Sequence, residues 1–202
     1  MNDRRTIRLA TTADAAAIAA IYAPFCSSSA ITFEVEPLSA EAMAERMRAL
    51  GERFPWLVME VGGDVAGYAY AAPHHERAAY RWAVNVSVYI HERHRRRGVG
   101  RALYQALFTV LRLQGYVHAI AGITLPNDPS AKLHESLGFQ RVGVYPAVGY
   151  KLGAWRDVGW WQLPLFDPLP NAPPEPLRMA DVAGDARFQS VCGEPPLGTA
   201  AE

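Results

Sequence analysis

An excess of charge of either sign is absent from this sequence. Across 202 residues, 20 lysines and arginines face 20 aspartates and glutamates, and the formal net charge is zero. A general nucleic-acid coat needs a basic excess to release counterions from phosphates, so that class is excluded. A polybasic membrane-surface protein is excluded on the same ground. Long hydrophobic runs are missing too. No stretch of about 18 apolar residues occurs, so no segment reads as a membrane span. Arg4 and Arg5 are followed by no extended apolar stretch, so no secretory signal is expected. Cysteine is scarce: Cys26 and Cys192 are the only two and lie far apart. That argues against a disulfide scaffold and for a reducing, cytoplasmic setting. Neither H-E-x-x-H nor a cysteine pair is present, so no metal site is expected.

Half of the residues are apolar, enough for a proper core, and the length suits about one domain. Residues 12–25 read as a helix, with Thr12 or Asp14 as cap and Ile18, Ile21, Tyr22 and Phe25 on one face. Residues 39–50 read as a second, capped by Ser39 and ended by Gly51. Trp56 to Val61 and Val65 to Ala71, joined by Gly62-Gly63-Asp64, predict a hairpin. In residues 82–90, Val84, Val86, Val88 and Ile90 alternate with Asn85, Ser87 and Tyr89, as a strand requires. A helix over 99–114, a strand over 118–125, a short helix over 130–137, a strand over 140–153 bent at Gly149 and a last strand over 157–163 complete an α+β (mixed α/β) domain. The domain is placed at 1–166. Eight of the 15 prolines lie at or after Pro164, so 167–202 reads as a proline-rich tail, extended or flexible and at best loosely docked.

The balanced charge is uneven in one place. Arg93, Arg95, Arg96 and Arg97 crowd together just before Gly98-Val99-Gly100, between a strand and a helix. Glycines permit positive φ and close backbone approach. Consecutive N–H groups then form an anion nest, the helix behind adds its own free N–H groups, and arginine forks hold further phosphate oxygens. The loop is a candidate pyrophosphate site. It is no Walker loop, since neither lysine nor hydroxyl follows Gly100, and the third glycine of a dinucleotide fingerprint is missing.

The pattern from Arg95 to Gly100 resembles the acetyl-coenzyme A loop of the GNAT acetyltransferases. Further motifs occur in order: Ile31-Thr-Phe-Glu-Val-Glu-Pro37, Phe54-Pro-Trp-Leu-Val58, Gly67-Tyr-Ala-Tyr70, Ser87-Val-Tyr-Ile90, Leu125-Pro-Asn-Asp-Pro-Ser130, Leu133-His-Glu-Ser-Leu-Gly-Phe139, Val148-Gly-Tyr-Lys151 and Asp157-Val-Gly-Trp-Trp-Gln-Leu163. Together they resemble the phosphinothricin N-acetyltransferase family, which includes methionine sulfoximine and sulfone acetyltransferases, over residues 7–165.

The resemblance implies a splayed mixed sheet flanked by helices, with acetyl-coenzyme A as co-substrate and a small amino-acid-like amine as acceptor. It implies that Val88, Tyr89 and Ile90 offer backbone groups to the pantetheine and thioester, the Val88 N–H serving as oxyanion donor. Arg95, Arg96, Arg97, Gly98, Val99, Gly100 and Arg101 would cradle the pyrophosphate, and Asn127 and Ser130 would hold the pantetheine arm. Phe33 and Glu36 would lie near the acceptor, with Tyr80 to Asn85 as one wall and Arg77 or Arg81 as a carboxylate or phosphinate clamp. Tyr150 and Lys151 would complete the site, from a second subunit if the chain is a homodimer like much of the family.

One departure stands out. Where family members carry glutamate, three residues before the Val-Tyr pair, this chain has Asn85. An amide is no general base. Three routes stay open: His134 takes the proton, directly or through water; Asn85 orients a water that delivers it elsewhere; or the chain acetylates poorly, acetylates a different amine acceptor, or does not acetylate and is an acyl-coenzyme A-binding module. Tyr104 and Tyr145 are candidate proton donors to the departing thiolate.

Overall fold

The structure is a computed structural model that describes residues 4–193. Seven strands make one sheet: β1 (Arg5–Leu9), β2 (Trp56–Val61), β3 (Asp64–Pro73), β4 (Ala83–Ile90), β5 (His118–Leu125), β6 (Gln140–Lys151) and β7 (Ala154–Pro164). Their spatial order is β1-β2-β3-β4-β5-β7-β6. Every neighbouring pair is antiparallel except β4 and β5, which run parallel at the centre. Four longer helices accompany the sheet: α1 (Ala15–Ser27), α2 (Ala40–Gly51), α3 (Val99–Gln114) and α4 (Asp128–Glu135).

The period-two pattern of the strands sorts side chains to two cores. Leu57, Met59, Ala69, Ala71, Val84 and Val86 face α3, which answers with Leu103, Leu107, Val110 and Leu111. Val58 and Tyr68 face the other way, onto Ile18, Ile21 and Tyr22 of α1 and Met43 and Met47 of α2. Ser39 caps α2 by accepting from the Ala42 N–H at 3.2 Å. Gly115 ends α3 in the left-handed region at φ 87, where a Cβ is disfavoured.

The structure refines or departs from the sequence expectations in four places. Strand β1 was not expected. Its Ile7 and Leu9 pack on the α3-side core, while the intervening Arg8 is held by Asp14 at 2.8 Å and Glu60 at 2.5 Å. The short helix after β5 starts at Asp128 rather than Ser130, because Asn127 is its cap. The expected bend near Gly149 is a break in pairing between Tyr145 and Gly149, with Ala147 left-handed at φ 49.

The fourth concerns the proline-rich region. Residues 179–192 were expected to be extended, but they form α5 (Met179–Val182) and α6 (Ala186–Cys192). Met179, Val182, Phe188 and Cys192 are buried in the α3-side core. Burying the Phe188 ring alone contributes roughly 1.5–3 kcal/mol. The prolines before α5 do run without helix or strand, yet that stretch is tied down. The Trp82 indole N–H donates to the Pro174 carbonyl at 2.7 Å, and the Leu177 N–H donates to the Gln114 carbonyl at 2.8 Å. Residues 1–3 and 194–202 of the expected domain and tail lie outside the described residues.

Candidate active site

The centre of the sheet forks. Parallel pairing of β4 with β5 covers only Ala83↔His118, Val84↔Ala119 and Asn85↔Ile120. Past Asn85, β4 stays with β3 as far as Ile90, and β5 stays with β7 as far as Leu125. A gap therefore opens between them, with Asn85 at its vertex. Antiparallel strands bond their partner at alternate residues. On β4 those are the odd-numbered ones, as the bonds from His91 N–H to Ala66 and from His74 N–H to Ala83 show. The N–H of Val88 therefore points away from β3, into the gap.

A cavity of about 60 Å³ fills the fork. Val86, Val88, Tyr104, Asn127, Ser130 and His134 line it, together with Ile31, Ser87, Tyr89 and Gly122. A second cavity of about 250 Å³ lies by Leu9, Met47, Phe54, Trp56 and Met179. It is larger, but apolar side chains dominate its lining, and no candidate nucleophile, base or anion nest borders it; the chemistry belongs to the fork.

His134 is 3 % exposed, and both ring nitrogens are engaged. Nδ1 lies 2.8 Å from the Ser130 carbonyl, which can only accept, so Nδ1 carries the proton. Nε2 therefore has the lone pair and accepts from the Tyr104 hydroxyl at 3.0 Å. Burial holds the His134 pKa below its usual range, against an upward pull from the Ser130 carbonyl. Burial likewise pushes the Tyr104 phenol far up, so it remains a proton donor at neutral pH. His134 thus faces Tyr104, with no second lone pair for an incoming ammonium.

Beyond β4, the arginine–glycine loop has the expected backbone. Arg96 at φ 57 and Gly98 at φ 81 are both left-handed, which turns successive N–H groups inward. The first bond into α3 runs from the Ala102 N–H to the Gly98 carbonyl, so the N–H groups ahead of it have no intrahelical acceptor. Arg5 braces the loop by donating to the Arg97 carbonyl at 2.9 Å. Two arginine side chains are occupied elsewhere. Arg95 lies over the Phe25 ring at 5.3 Å, and Arg101 bonds Ser136 at 2.7 Å. Asn127 accepts from the Ser130 N–H at 3.3 Å, so its carboxamide oxygen caps α4 while the residue borders the fork.

This geometry meets its match in known proteins. The model of the Acetyltransferase (GNAT) domain matches residues 7–160. A phosphinothricin N-acetyltransferase of Streptomyces viridochromogenes is 45 % identical over 172 residues, covering 85 % of this chain and 92 % of the relative. The chain belongs to the GNAT acetyltransferase family. An L-methionine sulfoximine/L-methionine sulfone acetyltransferase of Salmonella typhimurium is 37 % identical, covering 79 % of this chain and 94 % of the relative. A GNAT phosphinothricin acetyltransferase from Sinorhizobium meliloti, solved in complex with AcCoA, superposes with a TM-score of 0.81 at 34 % identity, covering 87 % of this chain and 95 % of that one. The seven-stranded forked sheet is the GNAT fold.

The residues of this GNAT chain suit an acyl-coenzyme A. The left-handed loop and free helix N–H groups fit phosphates, and the inward Val88 N–H fits a developing oxyanion. On the acceptor side, the structure gathers fewer of the expected residues. Lys151 is 5 % exposed and donates to three carbonyls, those of Phe25, Thr32 and Glu34, at 3.3, 2.8 and 2.7 Å. It pins the α1–α2 connection instead of entering a pocket. Arg81 pairs with Glu175 at 2.5 Å, which removes it as a free clamp. Glu36 and Arg77 are exposed. Tyr150 is 62 % exposed, edge-on to Trp155. Phe33 packs on Gly149, where a Cβ would stand 2.3 Å from its ring. Tyr80 is exposed and lies near His74, with ring centroids 5.9 Å apart.

Two residues there escaped the sequence expectations. The Nδ1 of His74 lies 3.0 Å from Asn85 Oδ1, and Asn85 Nδ2 donates to the Pro73 carbonyl at 3.2 Å. Trp160 pairs across from Gly122, where a Cβ would approach its ring to 3.2 Å. The Trp160 Nε1 is buried with no partner among the described residues. The signal for His74 was its position just past the β3–β4 hairpin arm, opposite the residue before Val84. The described residues include no group of three or more His, Cys, Asp or Glu side chains suited to a metal. No described helix is long and apolar enough to cross a membrane.

Proposed function

We propose that this acetyltransferase moves an acetyl group from acetyl-coenzyme A to the α-amine of a small amino acid or analogue of the phosphinothricin, methionine sulfoximine or methionine sulfone type. Transfer is direct, with both substrates bound. The observation that carries this reading is the Val88 N–H aimed into a gap open between β4 and β5. An inward N–H there stabilises charge on the acyl oxygen as it develops. Arg96, Arg97, Gly98, Val99 and Gly100 hold the pyrophosphate, and Asn127 and Ser130 hold the pantetheine arm. Tyr89 and Ile90 continue the backbone contacts of Val88. Tyr104, kept protonated by burial, turns its O–H from His134 Nε2 to the departing thiolate and gives up its proton there. A covalent relay through Cys26 has no support, since that thiol is 1 % exposed and burial raises its pKa.

The exposed Val142, Tyr145, Val148, Tyr150, Leu152 and Trp155 of β6, β7 and the turn between them supply an apolar face for a homodimer. The free, buried Cys26 and Cys192 suit the reducing cytoplasm.

The test is thiol release over a panel of amino acids that includes phosphinothricin, methionine sulfoximine and methionine sulfone. Turnover of one or more α-amines, lost on N-methylation of the acceptor to a quaternary ammonium, is expected. Tight acetyl-coenzyme A binding with no turnover of any amine would replace this reading with an acyl-coenzyme A-binding module.

A further inference from the structure

We infer that His74, oriented by Asn85, is the group that takes the proton from the acceptor ammonium. The inference rests on the acetyl-transfer reading above and names the base that the departure at Asn85 leaves unassigned. The hydrogen bonds form a closed chain of deduction. The Pro73 carbonyl can only accept, so the Asn85 atom facing it is the NH₂ group. The other carboxamide atom, facing His74 at 3.0 Å, is then oxygen. An oxygen acceptor requires the hydrogen on His74 Nδ1, which leaves the lone pair on Nε2. Asn85 thus does for His74 what an orienting carboxylate does in other imidazole bases: it selects the tautomer.

Place supports the role as well as tautomer. Asn85 is the last β4 residue paired with β5 and stands at the vertex of the fork. His74 is half-buried beside it. Trp160, its neighbour across the sheet with ring centroids 6.4 Å apart, lies against Gly122 of the cavity wall. Tyr80 packs on the His74 ring, with His75 behind it at 4.9 Å from Tyr80, so both are titratable groups on this side of the ring. On the opposite side, the two nitrogens of His134 are committed to Ser130 and Tyr104. The two histidines therefore divide the proton work. His74 Nε2 accepts one proton from the ammonium and later releases it to solvent. The freed nitrogen forms the new C–N bond to the acetyl carbon, the C–S bond breaks, the thiolate takes its proton from Tyr104, and the second N–H proton, lost to solvent, offsets the solvent proton that restores the Tyr104 hydroxyl.

The experiment compares the wild type, His74→Gln, Asn85→Glu and the double variant, each with an accepted amino acid. His74→Gln is expected to lower kcat/KM for the acceptor at pH 7 roughly 100-fold or more, with acetyl-coenzyme A affinity unchanged. It is also expected to remove the limb of the pH profile that falls as imidazole protonates. Asn85→Glu in the His74→Gln background restores activity, because a carboxylate at the fork supplies a base of its own. ¹⁵N NMR of the wild type should show His74 protonated at Nδ1 alone, and Asn85→Leu should abolish that preference. A His74→Gln enzyme with the wild-type rate and pH profile overturns the inference and leaves acetyl transfer standing. A wild type that turns over no amine overturns both.

Discussion

On the α3 side of the fork, His134 and Tyr104 are buried and bonded to each other, and Nδ1 of His134 is held by Ser130. On the opposite side, His74 and Trp160 are half-buried, Tyr80 is exposed, and the Trp160 N–H has no partner among the described residues. The first set is a finished hydrogen-bonded unit and the second an unfinished one. A side that always meets the same acyl carrier gains from groups fixed in advance, which cost no reorganisation during reaction. A side that selects among small acceptors needs free donors and acceptors for the ligand to complete. A buried polar group left unpaired costs about 1–3 kcal/mol, and a matching ligand recovers that energy.

The contrast is most open to attack at Tyr104. Tyr104→Phe keeps the ring in its stack on Phe108, 5.3 Å between centroids, and removes the hydroxyl that borders the fork and is proposed to protonate the thiolate. The expected result is a kcat about 100-fold lower, with KM for both substrates within about twofold. A large rise in either KM would move Tyr104 from proton delivery to binding. Next comes Gly98→Val, at a position with φ 81, where an L side chain is strained. Acetyl-coenzyme A KM should rise about tenfold, equivalent to about 1.4 kcal/mol, while acceptor KM holds. Equal effects on both substrates would erase the division between the two sides. Trp160→Phe is the matching probe of the acceptor side. Loss of its N–H should raise acceptor KM about fivefold, near 1 kcal/mol, and spare acetyl-coenzyme A.

The same division decides what was legible in the sequence. A phosphate nest is made from consecutive residues, so Arg96-Arg97-Gly98-Val99-Gly100 shows as a local pattern. The Val88 N–H follows from strand alternation, also a local property. His74 and Asn85 are eleven positions apart and meet only through the β3–β4 register, in which Pro73 faces Val84. Lys151 was misplaced because its sequence neighbours do not show that Phe25, Thr32 and Glu34 turn three carbonyls toward it. Composition obscures both helices of the C-terminal region. Prolines at 164–176 set the texture, although Met179 with Val182 and Phe188 with Cys192 each stand one helical turn apart. In β1, two arginines among five residues hid a strand, because the partners that neutralise Arg8 lie on other elements.

The smallest expected effect concerns stability and separates the histidines once more. His134 is held neutral by burial, with its folded pKa below the 6.5 of an unperturbed imidazole. Below about pH 6.5 the unfolded chain binds a proton that the native ring refuses. Unfolding then takes up protons, so this contribution to stability is fully present above that pH and is lost as pH falls toward the folded pKa. The slope for one group is at most about 1.4 kcal/mol per pH unit. His118 is shifted downward by burial in the same direction, so the wild-type curve alone does not isolate His134. The measurement is the difference in urea unfolding free energy between the wild type and His134→Gln from pH 7.5 to 5.5, in which the His118 contribution cancels. The wild type should lose its lead over the variant progressively below about pH 6.5. Parallel curves would mean that His134 is as free to ionise as a solvated imidazole, and the rigid side of the fork would then be no more finished than the other.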